Sequence, residues 1–405
     1  MGENRTEIFQ YLSGTCFKVK MLQKIIFSLA LLLGYPVLTT AQFIQGSGAE
    51  RVGFDRSFQA LRYNAVGDFH YEVDDYVQYL PAAAMVGIKA LIKAEGYESR
   101  SSWGRMLVSD AISIAAMTAV VNGIKYTARR PRPDGTSHNS FPSGHTATSF
   151  MTAAMLHEEY GWRSPWFSFG GYAAASLVGM SRIINNRHWA TDVIAGAAIG
   201  MASVKFGYWI ADLIFKDKYI SCDYARPVFG FDPERKYYDI GLYFGYRFFL
   251  GHNAVAMADG GRPAAFNGGS VTGIEVSVPV ANGGRIKGTA GIAARIGANS
   301  YCAGSRMDFN TYDFMAGGYW RKPLVRILEV DTRILAGYSL AGNRRLSGPA
   351  GVLDGIALAA DAGLAITTGE NFKIKAFAAY EASRFTVQKP FTQSVVLGGA
   401  AHFFW

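Results

Sequence analysis

Two hydrophobic periods divide the chain. From about Ala49 to Phe215, long apolar stretches are separated by polar, Gly- or Pro-containing breaks, which predicts helices near 74–93, 104–127, 144–158, 166–184 and 190–215. From Lys236 to Trp405 the period is two. Ile240, Leu242, Phe244, Tyr246 and Phe248 alternate with Gly241, Tyr243, Gly245 and Arg247. Ile274, Val276, Val278 and Val280 alternate with Glu275, Ser277 and Pro279, and similar runs start at Ile286 and Phe372. Further strand-like runs lie near 306–321, 323–339, 352–367 and 391–405, for eight strands in all.

The alternation places apolar side chains on one face and polar, charged or small ones on the other. Strands of roughly ten residues with that pattern suit an outer-membrane barrel, apolar outside and polar inside. A soluble barrel or sandwich alternates equally well, with its polar face outward. Two details favour the membrane. The chain closes on His402-Phe403-Phe404-Trp405, and the connections alternate between long (about 250–270, 298–305, 340–351) and tight (Asn282-Gly283-Gly284, Lys322-Pro323, Gly369-Glu370). The last connection, near Lys389-Pro390, is shorter than this pattern wants. This phase puts the start of the first strand, and the helical half before it, on the periplasmic side. Asp110 and Lys205 fall well inside two of the long helices, which favours a packed bundle over membrane spans.

Composition agrees with a folded, two-part chain. Of 405 residues, 50% are hydrophobic and 18% charged, which excludes disorder. The 46 glycines show no three-residue period, so collagen is excluded, and small lumen-facing Gly and Ala suit a narrow barrel filled by side chains. The net charge of +9 is spread along the chain instead of gathered in one basic run, which argues against nucleic acid and leaves anionic lipid or phosphorylated substrates as partners. Cys16, Cys222 and Cys302 match no zinc spacing, and a Cys222–Cys302 bridge would need an oxidising compartment. Lys18, Lys20 and Lys24, then the apolar stretch Ile25–Leu33 and small residues to Ala41, read as an export signal over 1–42, with Met21 a better-proportioned start. The expected organisation is a signal segment, a helical domain over 43–225 and a barrel over 232–405.

Three helical-half segments carry chemistry. Lys125 to Arg132-Pro133 closes a helix, because Pro131 and Pro133 cannot continue it. Pro142-Ser143-Gly144-His145 opens one, with Ser143 as N-cap. Ser181-Arg182, His188 and Asp192 span a break between two more. Lys125, Arg132 and Arg182 can surround a tetrahedral oxyanion, and arginine forks suit phosphate oxygens. The backbone N–H groups at a Ser143-Gly144 helix start form an anion site, which Gly144 leaves open to close approach. Asp192, four residues after His188, can hold one imidazole nitrogen and leave the other free. His145 is a second imidazole suited to protonate a leaving oxygen. The neighbouring Arg129 and Arg130 read as solvent- or lipid-facing, and Trp162, Trp166, Tyr172 and Trp189 as core or interface anchors.

These segments resemble, at every defining position, the signature of the type 2 phosphatidic acid phosphatase and vanadium haloperoxidase superfamily. The resemblance covers roughly residues 75–215. It implies that His188 is a nucleophile forming a phosphohistidine, that Asp192 orients it, and that His145 is the general acid for the departing alcohol. It implies that Lys125, Arg132, Ser143, Gly144 and Arg182 bind the phosphate, and that no metal or other cofactor is required. The combined expectation is a helical bundle followed by an eight-stranded antiparallel barrel. Its function would be a phosphatase held at the outer membrane with the catalytic domain in the periplasm. Its substrates would be lipid phosphates: phosphatidate, polyprenyl phosphate or diphosphate, or lipid A phosphate. An acid phosphatase on soluble phosphomonoesters, a haloperoxidase, and a barrel-type surface or binding protein are the alternatives.

Overall fold

The computed structural model describes residues 53–66, 74–91, 98–216, 218–221, 224, 236–250, 254–255, 264–265, 268–282, 288–303, 306–341, 355–367, 371–385 and 392–405. The signal segment, Cys16 and Cys222 lie outside the described residues, as does the Lys389-Pro390 connection.

Among the described residues seven helices come first: α1 (Phe54–Val66), α2 (Asp74–Val77), α3 (Leu80–Leu91), α4 (Trp103–Ala128), α5 (Gly144–Tyr160), α6 (Pro165–Ile184) and α7 (Ala190–Phe215). Their ends follow local chemistry. The side chains of Ser102, Ser143 and Ser164 cap α4, α5 and α6, and Pro165 opens α6, where its missing N–H costs nothing. Arg129 adopts a left-handed conformation (φ 43°) as it ends α4, and its N–H donates to the Lys125 carbonyl. The sequence pattern missed α1, and it merged α2 and α3 into one helix.

Helix α7 approaches its neighbours along a glycine stripe. A Cβ on Gly196 would lie 2.5 Å from the Ser143 carbonyl oxygen, on Gly200 2.3 Å from that of Ala147, and on Gly207 2.5 Å from that of Ser109. Only glycine permits backbones this close, so the stripe fixes α7 against both α5 and α4. Met106, Met117, Val121, Met151, Met155 and Val204 fill the space between them.

The second half is a closed barrel of eight antiparallel strands in the order β1-β10-β9-β8-β7-β6-β5-β4. They are β1 (Asp239–Leu250), β4 (Gly269–Asn282), β5 (Thr289–Ala303), β6 (Arg306–Val325), β7 (Leu328–Ala341), β8 (Gly355–Thr367), β9 (Phe372–Phe385) and β10 (Thr392–Phe404). Two-residue strands β2 (Ala254–Val255) and β3 (Ala264–Ala265) pair separately. Closure comes from β1, which pairs with both β10 and β4. The predicted apolar face points outward: Ile274, Val278, Ile292, Ile334, Leu358 and Leu397 are all exposed.

Three expectations about the barrel are corrected. Alanine and glycine occupy both faces, and ion pairs fill the lumen together with Tyr243, Met315, Leu335, Phe377 and inward alanines. Arg295 meets Glu275 at 2.9 Å and Asp361 at 2.6 Å, and Lys375 meets Asp331 at 2.7 Å and Asp361 at 3.1 Å. His402 lies between Asp239 at 3.0 Å and Glu275 at 2.9 Å. Lys322-Pro323 is not a turn: β6 runs through it with a register shift at Pro323, and the turn falls at Arg326-Ile327. A bulge is where a strand tolerates proline. The connection expected over 298–305 is strand up to Ala303, and β6 restarts at Arg306.

The two halves touch along one side of the barrel. Trp166 packs on Trp405, Phe169 on Phe403 and Tyr172 on Phe372, near the rim of short turns. At the other end of the bundle, α1 contacts β4, β5 and β6, and Phe58 packs on Phe244.

The lumen network makes a test of the barrel. Removing one partner of a buried ion pair leaves an uncompensated charge and costs about 3–5 kcal/mol. Arg295→Met should lower the urea midpoint of the heat-modifiable folded band by that equivalent. Ile296→Ala, on the outward face of the same strand, should cost well under half as much.

Candidate active site

The three segments converge at one end of the bundle, where α4 ends, α5 begins, and the α6–α7 break lies. His188 stands in that break, 3% exposed. Its Nδ1 donates to the Ser140 carbonyl at 2.7 Å, with the Asp192 carboxylate 3.7 Å away. Two oxygens therefore face Nδ1, which keeps the proton there and leaves the Nε2 lone pair free.

Asp192 is completely buried in the first turn of α7. Its carboxylate accepts the Trp189 N–H at 2.9 Å, the Ser140 hydroxyl, and Arg130 Nη1 at 2.7 Å. Its backbone carbonyl accepts the Ser143 N–H at 3.0 Å. Arg130 was expected to face solvent or lipid. It instead bridges Asp192, Thr191 at 2.7 Å and Asp55 of α1 at 2.6 Å, with Trp189 under its guanidinium.

The anion-binding candidates surround this knot. Lys125 Nζ donates to the Asn139 carbonyl at 2.7 Å, and Arg132 Nε to the Asn139 side-chain oxygen at 3.1 Å. Burial lowers the Arg132 pKa from its ordinary value; Asp134 opposes this, and the neighbouring cations Arg182 and Arg187 add to it. Ser143 caps α5, its hydroxyl accepting from Thr146 at 2.9 Å. A Cβ on Gly144 would meet only Lys125 Cε, at 3.9 Å, so the helix start is open beside the ammonium. Arg182 Nη1 donates to Asp74 at 2.5 Å, while its buried Nε has no hydrogen-bond partner. His145 Nε2 sits 2.9 Å from Asp75, whose same oxygen lies 3.5 Å from Arg182. Asp75 thus bridges His145 and Arg182 at the mouth. Among the described residues, no group of three or more His, Cys, Asp and Glu is arranged to hold a metal ion.

The structure therefore brings all eight sequence-selected residues to one end of the bundle. A cluster of cations, a helix N-terminus, an oriented imidazole and a second imidazole make an arrangement whose chemistry suits a tetrahedral oxyanion.

Residues 107–216 match the PAP2 superfamily model. Residues 107–216 are a PAP2 superfamily domain. A lipid A 1-phosphatase of Porphyromonas gingivalis is 51% identical over 164 residues, 40% of this chain and 36% of that protein. The chain thus spans about a third of the length of that curated relative. The crystal structure of Aquifex aeolicus LpxE aligns with 24% identity and a TM-score of 0.29, covering 39% of this chain and 96% of that one. Ail, the attachment invasion locus protein of Yersinia pestis, aligns with 17% identity and a TM-score of 0.26, covering 42% of this chain and 99% of its own.

The PAP2 domain depends on residues that lie outside the three segments or were passed over within them. Asp74 and Asp75 sit in a short acidic pair with no periodic context. Asp55 belongs to the unpredicted α1. Ser140 and Asn139 directly precede Phe141-Pro142, so their nearness to the second segment was the available signal.

Gly144 gives the site a test. Because a Cβ there meets little protein, Gly144→Ala should leave the thermal midpoint unchanged. It should weaken inorganic phosphate binding by about tenfold or more, about 1.4 kcal/mol. Gly200→Ala should do the reverse, lowering the midpoint because its Cβ clashes with the Ala147 carbonyl. Calorimetric titration and thermal unfolding of both variants read the difference.

Proposed function

We propose that this chain is a phosphatase acting on phosphorylated lipids through a phosphohistidine, with its barrel seated in an outer membrane. The observation that carries the reading is the His188 imidazole, held through Nδ1 by the Ser140 carbonyl and Asp192, with Nε2 left free. The family match and the resemblance to a lipid A 1-phosphatase support it. The outward apolar face of the barrel supports the membrane seat.

In this reading Lys125, Arg132, Arg182 and the N–H groups at the start of α5 bind the phosphate. The free Nε–H of Arg182 donates to one of its oxygens. His188 Nε2 attacks phosphorus as the P–O ester bond breaks, and the departing alkoxide takes a proton from His145. The dianionic phosphate, placed between Arg182 and His145, favours the protonated imidazole that this step needs. Neutral His145 then takes a proton from water, whose oxygen attacks phosphorus. The P–N bond breaks and phosphate leaves, with His188 restored. Arg130 and Ser140 hold Asp192, so they position the nucleophile and touch no substrate. No metal takes part.

Two measurements test the mechanism. Wild type quenched in alkaline denaturant after exposure to radioactive substrate should carry label, and His188→Ala should carry none. His145→Ala removes proton transfer only, worth about 10²–10⁴-fold, so it should keep far more activity on a nitrophenyl ester than on an alkyl phosphate. Label in His188→Ala, or an unlabelled wild type that inverts at phosphorus, counts against the proposal.

The pH dependence is a further test. Burial lowers the His188 pKa from 6.5; Asp192 opposes this, and Lys125 and Arg182 add to the lowering. Protonating Nε2 removes the nucleophile, so activity falls as pH drops through that depressed value. On a nitrophenyl ester, which needs little help from His145, the acidic limb of kcat/KM should have its midpoint below 6.5. A midpoint above that value counts against a buried, neutral nucleophile.

A further inference from the structure

The helices are polarised in the reverse of the soluble pattern. On α4, Leu107, Ala111, Ile114 and Thr118 are exposed while Ser109, Asp110 and Ser113 are buried. Between Asp110 and Lys125 this helix carries no charged residue, and between Arg163 and Arg182 neither does α6. A water-facing helix puts its charges outside and its apolar stripe inside. Both α4 and α7 are long and apolar enough to cross a membrane, and only 28% and 33% of their most apolar windows are buried. The exposed charges on α7 are both ion-paired, Lys205 with Glu158 and Asp212 with Arg100 and Arg105.

Aromatic side chains mark two levels along the bundle. Tyr76, Tyr79 and Tyr126 are exposed at the catalytic end, and Trp103, Trp166 and Tyr219 at the other. Trp103 and Tyr126 lie on the single 26-residue helix α4, which is about 39 Å long and comparable to a bilayer with its interfaces. Tyrosine and tryptophan collect at such interfaces.

The barrel supplies the direction. The non-catalytic end of the bundle rests on Phe372, Phe403 and Trp405, at the rim of short turns. The catalytic end carries α1, which touches β4, β5 and β6. Of the outward residues on these strands, Val278, Val280 and Ile292 toward the short-turn rim are 42–59% exposed. Ser270 and Ser300, toward the opposite rim, are fully buried. The α1 contact therefore lies in the half nearer the longer connections. Between the two contacts, Ile240, Leu242, Phe244 and Tyr246 of β1 face outward and are half-covered. Helix α7 also ends at the short-turn level, where Tyr238 leads into β1 and stacks on Trp405.

We infer that the bundle and the barrel share one bilayer, side by side, with the phosphate site opening at the rim of longer connections. In an outer membrane that rim faces the cell exterior. The substrate is then a phosphorylated amphiphile of the external leaflet, its acyl chains remaining in lipid beside α4 and α7. This differs from the periplasmic placement that strand phase alone suggests. The choice of substrate rests on the phosphatase reading, whereas the placement does not.

Single-cysteine labelling tests it in the full chain carrying Cys16→Ser, Cys222→Ser and Cys302→Ser, expressed in a Gram-negative host. A membrane-impermeant maleimide should label His138→Cys, at the catalytic end, in intact cells. Lys218→Cys, at the other end, should label only after the outer membrane is permeabilised. Ile114→Cys should resist labelling in both states and react after denaturation. Heat-modifiable mobility confirms that each variant is folded without reference to activity. Labelling of His138→Cys only after permeabilisation, or ready labelling of Ile114→Cys in permeabilised cells, overturns the placement. Correct labelling by a protein that releases no phosphate from lipid refutes the phosphatase reading and leaves the placement standing.

Discussion

The buried carboxylate of Asp192 ties together the end of the bundle that holds His188. It collects the Trp189 N–H, the Ser140 hydroxyl and Arg130, and its own carbonyl takes the Ser143 N–H. Through these bonds one residue at the start of α7 fixes the loop after α4, the start of α5 and the His188 ring. Through Arg130 it also reaches Asp55 on α1. A carboxylate with no water contact must have all its lone pairs met by protein, and here the partners that meet them are the ones that shape the pocket. The glycine stripe on α7 complements this knot, because it lets α7 approach closely enough for the bonds to form.

The motif residues were legible because each lies in a compact, ordered segment whose chemistry makes sense locally. Ser143 reads as a cap, Gly144 as an open approach, and the His188–Asp192 spacing as a shared face. The supporting residues were not legible, because their partners are far away in sequence: Arg182 with Asp74 spans 108 positions and Arg130 with Asp192 spans 62. Nothing in the neighbourhood of Asp74 or Arg130 marks such a partner. Even the anticipated His188–Asp192 relation proved to be shared, with the Ser140 carbonyl standing closer to the ring.

The barrel was read with the same mixture. Alternation identified which side chains face in, since a strand offers only two faces. It could not say how the inward charges pair, because that depends on closure. Proline misled at 323, where a bulge replaces the expected turn. In the helices, Asp110 and Lys205 argued for a bundle in water. In the fold Asp110 is buried beside the Tyr208 hydroxyl and Lys205 is paired with Glu158, so neither stands as a bare charge.

Many of the lumen ion pairs join strands that are not neighbours. Arg295 on β5 meets Asp361 on β8, Lys375 on β9 meets Asp331 on β7, and Lys373 on β9 reaches Glu329 on β7 and Asp239 on β1. Some pairs do lie within a hairpin, such as Arg295 with Glu275, Arg321 with Asp331 and Lys375 with Asp361, but the cross-lumen ones form only when distant strands meet. A partly assembled sheet in lipid would expose them bare, at a cost of several kcal/mol each. Such a wall has no stable open intermediate in the hydrocarbon. Its strands must come together largely before or during insertion, so assembly is an all-or-none event.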